Sequence, residues 1–259
     1  MARLLFLLSL CVAVFAAPLL AQSDAADRGY LQALLEDNLS GAGRDVRILG
    51  FAGALSSQAT IEELTIADSE GIWITLRGIT LDWTRTALLR GRVEVNRLTA
   101  REIILARAPS AEEDLSPEMA EATPFRLPEL PVSVNIGEIS ADTLTLGAPL
   151  LGEEIDLRLL GRLSLGGGEG AAEIDVTRLD GRGAVTLDAS FVNATQVLAL
   201  DLSLEEDQGG IAATLLQLPD RPALSLGISG TAPLNDYAAD IRLASDGAPR
   251  LTGQVTIRD

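Results

Sequence analysis

The acidic clusters are the residues of this sequence that could support chemistry, because the 259-residue chain contains no histidine and one cysteine, Cys11. Ser-His-Asp and Cys-His catalysis, histidine-containing metal sites and disulfides within the chain are therefore excluded. Two groups, Glu153-Glu154 and Glu205-Glu206-Asp207, could support acid–base chemistry or glycoside cleavage. Both are predicted at strand ends and turns, where charged residues normally meet water. We expect no enzyme, no metal site and no cofactor, with a carboxylate-based hydrolase as an alternative.

The composition argues against two further classes of protein. The net charge of −17 lacks the basic footprint that nucleic-acid binding requires, so no nucleic-acid partner is expected. The same charge argues against simple electrostatic docking of the chain on an anionic lipid surface. Hydrophobic residues make up 47% of the chain but aromatic residues only 3%, so aliphatic side chains must form any core or binding surface.

The N-terminus has the pattern of an export signal. Arg3 precedes an apolar run that ends near Pro18, and Leu19-Leu20-Ala21 resembles a signal-peptidase site. Residues 1–22 are therefore predicted to be a signal peptide cleaved after Ala21, or alternatively an uncleaved anchor of barely sufficient length. Either interpretation sends the chain across the inner membrane, so we expect a periplasmic location, associated with or anchored in that membrane.

A short amphipathic helix is predicted over residues 23–41. Asp24 or Asp27 can cap it, and Gly41 can end it. Its apolar residues recur at helical spacing: Tyr30, Leu31, Leu34, Leu35 and Leu39. The helix either packs on the end of a sheet or rests on a membrane surface.

From residue 44 the hydrophobic period becomes two, which predicts a first β block over residues 42–108. Val46 and Ile48 alternate with charged residues. The alternation that starts at Ile72 changes parity after Gly78, which indicates a bulge or a turn there.

One spacing pattern of aliphatic residues, which we call the aliphatic rhythm, occurs twice in the chain. Its copies are RVEVNRLTAREIIL over 92–105 and SVNIGEISADTLTL over 133–146. Superposed, the copies match Val93 with Val134, Val95 with Ile136, Leu98 with Ile139, Ile103 with Leu144 and Leu105 with Leu146. A repeated strand rhythm favours an elongated array in which each copy adds a hairpin to a continuous apolar lining.

A proline-rich acidic linker separates the copies, over residues 109–131. The stretch 108–131 contains five prolines and the cluster Glu112-Glu113-Asp114. That cluster lacks the alternating ligands of a calcium loop, so it is predicted to be solvated. The linker divides the first β block from a β-repeat region over residues 132–259.

The repeat region predicts a mainly β fold, an elongated antiparallel meander curled into an open, taco-like apolar groove. Glycine, aspartate and asparagine cluster between its strands, as hairpin turns require. Polar residues such as Asp156 and Arg158 occupy the opposite face of the strands. The candidate groove residues are Ile155, Leu157, Leu159, Leu163, Leu165, Ile174, Val176, Val185, Leu187, Phe191, Leu198, Leu200, Leu202, Leu204, Leu224, Leu226 and Ile228.

This aliphatic face needs a cover, because exposing rows of leucine side chains costs many kcal/mol at ~25 cal/mol per Å². A second sheet, closure into a barrel, or a bound apolar ligand could supply it. The period alone does not choose among the three, and the repeat favours an open trough that shelters lipid tails.

Residues 40–105 resemble the N-terminal region of the TamB family, in the AsmA-like superfamily. The resemblance rests on GFAGALSSQATIEELTIAD, on the LDW that follows WITLRGIT, and on LLRGRVEVNRLTAREIIL. It covers residues 28–108 closely and the later strands only in rhythm. The resemblance implies a long, taco-shaped sheet across the periplasm, without catalytic residues.

The resemblance also implies a function and partners. TamB-type proteins are associated with outer-membrane protein assembly and secretion, including autotransporters, and with phospholipid movement between the two membranes. The expected partners are phospholipid acyl chains, the inner membrane and an outer-membrane barrel, TamA or a BamA-like protein. Because the family is much longer, we expect this chain to be an N-terminal fragment or a truncated gene product, lacking the barrel-binding region. The alternative is a periplasmic scaffold with a closed, dry core.

Overall fold

The computed structural model describes residues 44–53, 56–110, 125–128 and 130–258, together with Glu36 and Ser40. The predicted segment 1–22 lies outside the described residues, as does the predicted helix 23–41 apart from Glu36, which is helical, and Ser40. The Glu36 carboxylate accepts the backbone N–H of Ile48 at 2.7 Å, and the Ser40 hydroxyl accepts that of Val46 at 2.9 Å. These bonds satisfy two donors on the first strand, which lies at an edge of the sheet.

Twelve strands in the described residues form one open sheet in which the spatial order equals the chain order. The strands are β1 (Asp45–Leu49), β2 (Gln58–Asp68), β3 (Gly71–Trp83), β4 (Arg92–Leu105), β5 (Ser133–Leu146), β6 (Ile155–Gly166), β7 (Glu169–Arg178), β8 (Gly183–Val192), β9 (Val197–Glu206), β10 (Leu224–Pro233), β11 (Asp236–Ser245) and β12 (Ala248–Arg258). The prediction of a mainly β chain is confirmed. The described helices are short: a 3-10 helix at Arg85–Arg90 and α-helices at Ala148–Leu151 and Ile211–Leu215.

One strand pair makes the sheet mixed, so the prediction of a wholly antiparallel meander is wrong. β4 and β5 pair in parallel, whereas every other neighbouring pair in the described sheet is antiparallel. A parallel pair needs a connection of a dozen or more residues that returns the chain to the same end. The stretch between Leu105 and Ser133 is long enough to do so. The linker is thus a crossover within a single sheet.

The two copies of the aliphatic rhythm are the two strands of this parallel pair. Val93 lies opposite Val134, Val95 opposite Ile136, and Ile103 opposite Leu144. Parallel in-register pairing places equivalent positions side by side, so a shared rhythm keeps the aliphatic side chains of both strands on the same face. The expectation that each copy adds its own hairpin is wrong.

Local irregularities return aliphatic side chains to the same face of the sheet at points where the alternation of apolar and polar residues is interrupted. Gly78 has a left-handed φ of +61° inside β3, so the predicted irregularity is present but no turn occurs. A Cβ at Gly78 would lie 3.1 Å from the Cβ of Arg101 on β4, a tight contact that a side chain could make only if Arg101 shifted. In β5 the register against β6 shifts twice, between Ile136 and Ile139 and again between Ala141 and Leu144. Extra residues of this kind turn the strand and reset which face a side chain meets.

The two ends of the sheet differ in their connections. The helix end carries the helices Ala148–Leu151 and Ile211–Leu215 and the turn between β7 and β8. The turn end carries the 3-10 helix, the β6–β7 turn at Gly167 and Gly168, and the β8–β9 turn that starts at Asn193.

Candidate functional site

The cross-strand register gathers the candidate groove residues on one side of β6 to β10. Directly opposed residues of neighbouring strands share a face, so each set of partners forms a row across the sheet. One row contains Leu159, Val176, Val185, Leu204 and Leu226. The next contains Ile174, Leu187, Leu202 and Ile228, opposite Gly161 of β6.

Two further rows follow towards the turn end. Leu163 and Leu200 belong to one, with Ala172 and Ala189 between them. Leu165, Phe191 and Leu198 belong to the other, with Gly170 between the first two. At the helix end, Leu157 lies opposite Arg178, Leu224 lies opposite Glu206, and Ile155 begins β6. We call the surface that these rows form the apolar face.

The apolar face is buried near its ends and partly open in its middle. Ile155, Leu157, Phe191 and Leu224 are each no more than 5% exposed, whereas Leu163 and Ile174 are 36% and 37% exposed. The other candidate residues are half-buried. All of the described strands belong to one sheet, so no second sheet of described strands lies over this face. A sandwich core is therefore absent from the described part of the chain.

A buried charged cluster closes the helix end of the apolar face. The Glu206 carboxylate accepts the backbone N–H groups of Ile211 at 2.9 Å and Ala212 at 2.7 Å, which fixes the helix Ile211–Leu215. Glu206 is 8% exposed, so the expectation that this acidic group meets water is wrong for that residue. The physical reason is that the free amide groups at the start of a helix replace water as hydrogen-bond donors.

Arg178 is the cation of this cluster. It is 6% exposed, and its guanidinium donates to Asp180 at 3.0 Å and 2.6 Å. These hydrogen bonds lower the pKa of Asp180 to about 2. They also raise the pKa of Arg178, against the effect of burial. Arg178 and Asp180 therefore stay charged at neutral pH, and their ion pair shapes the end of the face instead of transferring protons.

The last residues of the crossover cover the turn end of the apolar face. The rings of Phe125 and Phe191 meet edge to face, with centroids 5.0 Å apart at 72°. The side-chain amide of Asn193 accepts the backbone N–H of Leu127 at 2.8 Å and donates to its carbonyl at 2.9 Å. A Cβ at Gly170 would lie 2.8 Å from Leu127 Cδ1, so the glycine leaves the space that Leu127 fills.

Sequence reasoning missed this cover because it treated the linker as a single solvated segment. One signal was present: Phe125 and Leu127 alternate with Arg126 between two prolines, which is the pattern of a short extended segment with one apolar side. Beside the cover lies a cleft of about 550 Å³, lined in part by Val134, Leu165 and Phe191. Its rim includes Arg92 and Glu169.

The opposite side of the sheet is polar and acidic. Arg162 forms an ion pair with Glu173, and Asp188 and Asp201 continue the same row across β8 and β9. Adjacent like charges cost stability unless water screens them, so this side faces solvent. Leu160, an apolar residue among these polar ones, also lies on this side and is 48% exposed. Among the residues that the structure describes, no group of three acidic, cysteine or histidine side chains could hold a metal ion.

The carboxylates considered for acid–base chemistry each have surroundings of their own. Glu205 and Glu206 are consecutive in β9, so their side chains point to opposite sides of the sheet. Glu205 accepts a hydrogen bond from the Ser225 hydroxyl at 2.7 Å, and Glu206 is held by helix amides. Glu153 and Glu154 are exposed in the loop before β6. Glu205, Glu206 and Asp207 all line a cleft of about 390 Å³ at the helix end. The geometry does not join Glu205 and Glu206 as an acid–base pair, because each carboxylate is held by a different hydrogen-bond partner.

The fold and the site define an open β-sheet protein with one apolar and one acidic side. Comparisons with protein-family models, with curated proteins and with solved structures find no match. No helix within the described ranges is long and apolar enough to cross a bilayer.

Proposed function

We propose that this chain is the N-terminal part of a cell-envelope protein of the TamB type, whose apolar face shelters phospholipid acyl chains. In this role it contributes to phospholipid transport between the inner and outer membranes, to outer-membrane protein assembly and secretion, or to both. The observation that carries the proposal is the set of apolar rows across β6 to β10, one of them aliphatic on all five strands, largely half-buried and without a second sheet above them in the described structure.

The dimensions of the rows suit an acyl chain. Five strands at about 4.8 Å spacing make a row of about 19 Å, and the hydrocarbon of one bilayer leaflet is about 15 Å thick. An acyl chain lying along a row would remove both its own surface and that of the leucines from water, at ~25 cal/mol per Å². The charged headgroup would stay in water at the edge of the apolar face.

The resemblance of residues 40–105 to the TamB family supports the cellular setting. The signal or anchor segment 1–22 would place the chain in the periplasm at the inner membrane. A TamA or BamA-like barrel would engage a C-terminal region beyond this chain. No enzyme activity is part of the proposal.

A second candidate is a periplasmic scaffold whose apolar face is closed and dry. The covers at both ends favour it, because Leu127 and the helix Ile211–Leu215 already bury part of the face. The two candidates make different predictions for the open middle of the apolar face, around Leu187 and Leu202. An acyl chain binds there in the first, and no lipid binds there in the second.

Lipid extraction and native mass spectrometry of the purified chain test the proposal. Leu202→Arg puts a charge in the middle of the apolar face, and Ser203→Arg puts the same charge one residue further along β9, on the polar side. We expect phospholipid with the wild type and with Ser203→Arg, and none with a folded Leu202→Arg. A lipid-free wild type, or equal lipid content in both variants, would contradict lipid carriage and support the scaffold.

A further inference from the structure

We propose that the loop between β3 and β4, built on the 3-10 helix Arg85–Arg90, is a contact surface for an anionic lipid bilayer. The proposal does not depend on acyl chains binding to the apolar face. It assigns a specific surface to membrane contact, at the turn end of the sheet.

The loop presents two adjacent leucines to solvent. Leu89 is 89% exposed and Leu88 is 45% exposed, whereas Ala87 is 2% exposed and anchors the loop. The backbone N–H of Ala87 donates to the Thr84 carbonyl at 3.0 Å, and that of Gly91 donates to the Leu88 carbonyl at 3.0 Å. The leucine pair is therefore held outward by a fixed turn, which is how apolar residues enter the boundary between headgroups and acyl chains.

The residues around the leucines carry positive charge, whereas the whole chain carries a large negative charge. The stretch TRTALLRGRV, 84–93, carries three arginines and no acidic residue in a chain of net charge −17. Arg85, Arg90 and Arg92 are exposed, and Arg92 lies 3.5 Å from Glu94, the first acid beyond the stretch. Arginines beside exposed leucines match a surface whose apolar interior lies under anionic headgroups.

The two ends of the sheet differ in the charge of their loops. At the turn end, the β6–β7 and β8–β9 turns contain no charged residue, and residues 125–128 of the crossover add Phe125, 58% exposed, and Arg126. The acids Glu169 and Asp236 begin two strands at this end. The loops of the helix end contain acids, among them Glu70, Glu153, Glu154, Asp180, Asp207 and Asp246. An anionic surface would therefore attract the turn end and repel the helix end, so this charge difference orients the sheet.

The helix end supplies a matched control. Leu215 and Leu216 are also adjacent and exposed, by 62% and 64%, but the charged residues that flank them in the sequence are Asp207, Asp220 and Arg221 rather than three arginines. If apolar exposure alone drove membrane contact, both leucine pairs would enter the bilayer.

The test labels each end of the full chain with a polarity-sensitive fluorophore. Leu89→Cys and Leu216→Cys, each combined with Cys11→Ser, receive the dye and are mixed with phosphatidylglycerol vesicles or phosphatidylcholine vesicles. Both proteins carry the same residues 1–22, so attachment through that segment is common to them. We expect a blue shift at position 89 with phosphatidylglycerol, quenching there by brominated acyl chains, and neither effect at position 216.

The arginines are tested in the same assay. Replacing Arg85, Arg90 and Arg92 by glutamine should weaken the affinity for phosphatidylglycerol vesicles, measured from the blue shift at increasing lipid concentration, by about five-fold per arginine. Added salt should weaken this affinity as well. No shift at position 89, an equal shift at both positions, or a shift unaffected by the arginine replacements would each overturn the proposal. A lipid-free apolar face would not, because the label reports only on the loop.

Discussion

Asn193 holds both backbone polar groups of Leu127, although 66 residues separate the two in the chain. The contact closes the turn end of the apolar face with the protein's own crossover. A segment held by two side-chain hydrogen bonds and one ring contact can be released without disturbing the strands beneath it.

Asn193→Ala should therefore lower stability and open the face. Loss of the two hydrogen bonds predicts a decrease of about 1–3 kcal/mol in the free energy of unfolding. Binding of a fluorescent fatty-acid probe should increase at the same time, because Phe191 and Gly170 lose their cover. Thr195→Ala, in the same turn and exposed, is the control and should change neither quantity. Unchanged probe binding by a destabilised Asn193→Ala would show that the segment does not obstruct the face.

Gly78 should tolerate a side chain poorly. Its φ of +61° and the nearby Cβ of Arg101 predict that Gly78→Ala lowers the free energy of unfolding by about 1–3 kcal/mol. Gly227→Ala, in β10, is the matched control because its Cβ would meet no atom within 4 Å. Urea titration of both variants measures the difference. Equal midpoints for the two would contradict the left-handed geometry at Gly78.

The pairing of Arg178 with Asp180 should make stability depend on pH. The pKa of Asp180 is lowered from 3.8 to about 2 in the folded chain. A lowered folded-state pKa stabilises the folded state above the unfolded value, and that contribution is lost as the pH falls from 3.8 to about 2. Asp180→Asn should lower stability at neutral pH and reduce the loss over this acidic window.

Chemical unfolding at neutral pH and again below pH 3.8 measures the effect. Asp201→Asn, an exposed position on the acidic side of the sheet, serves as the control. If Asp180→Asn and Asp201→Asn change the pH profile equally, the Arg178 pairing does not contribute specifically.

The parallel pairing of β4 and β5 predicts which pairs of introduced cysteines can form a disulfide. Thr99 and Ser140 are register partners, so a Thr99→Cys, Ser140→Cys pair in a Cys11→Ser background should form a disulfide under mild oxidation. Thr99→Cys with Thr145→Cys is the control, since the second position lies about 17 Å further along the strand. Mass spectrometry after digestion identifies the linked peptides. Preferential joining of the control pair would contradict the observed register.

Local pattern predicted much of the sheet. Strands such as β8 and β9, and the shared face of Leu187 and Leu202, follow from alternation, because side chains of a strand point to opposite sides in turn. The irregularity at Gly78 was also readable, since the apolar parity changes there. These features depend on residues within a few positions of one another.

The sequence alone determined which aliphatic residues share one face of a strand, the polar character of the opposite face and the absence of histidine chemistry. Only the tertiary structure decided that Val95 and Ile136 pair in parallel, that Glu206 is buried against helix amides, and that Leu127 lies on Gly170. The physical reason is range: alternation is set by neighbouring residues, whereas strand direction and the cover of a face depend on where a long connection returns. Composition cannot encode that path, because many paths bury the same aliphatic surface.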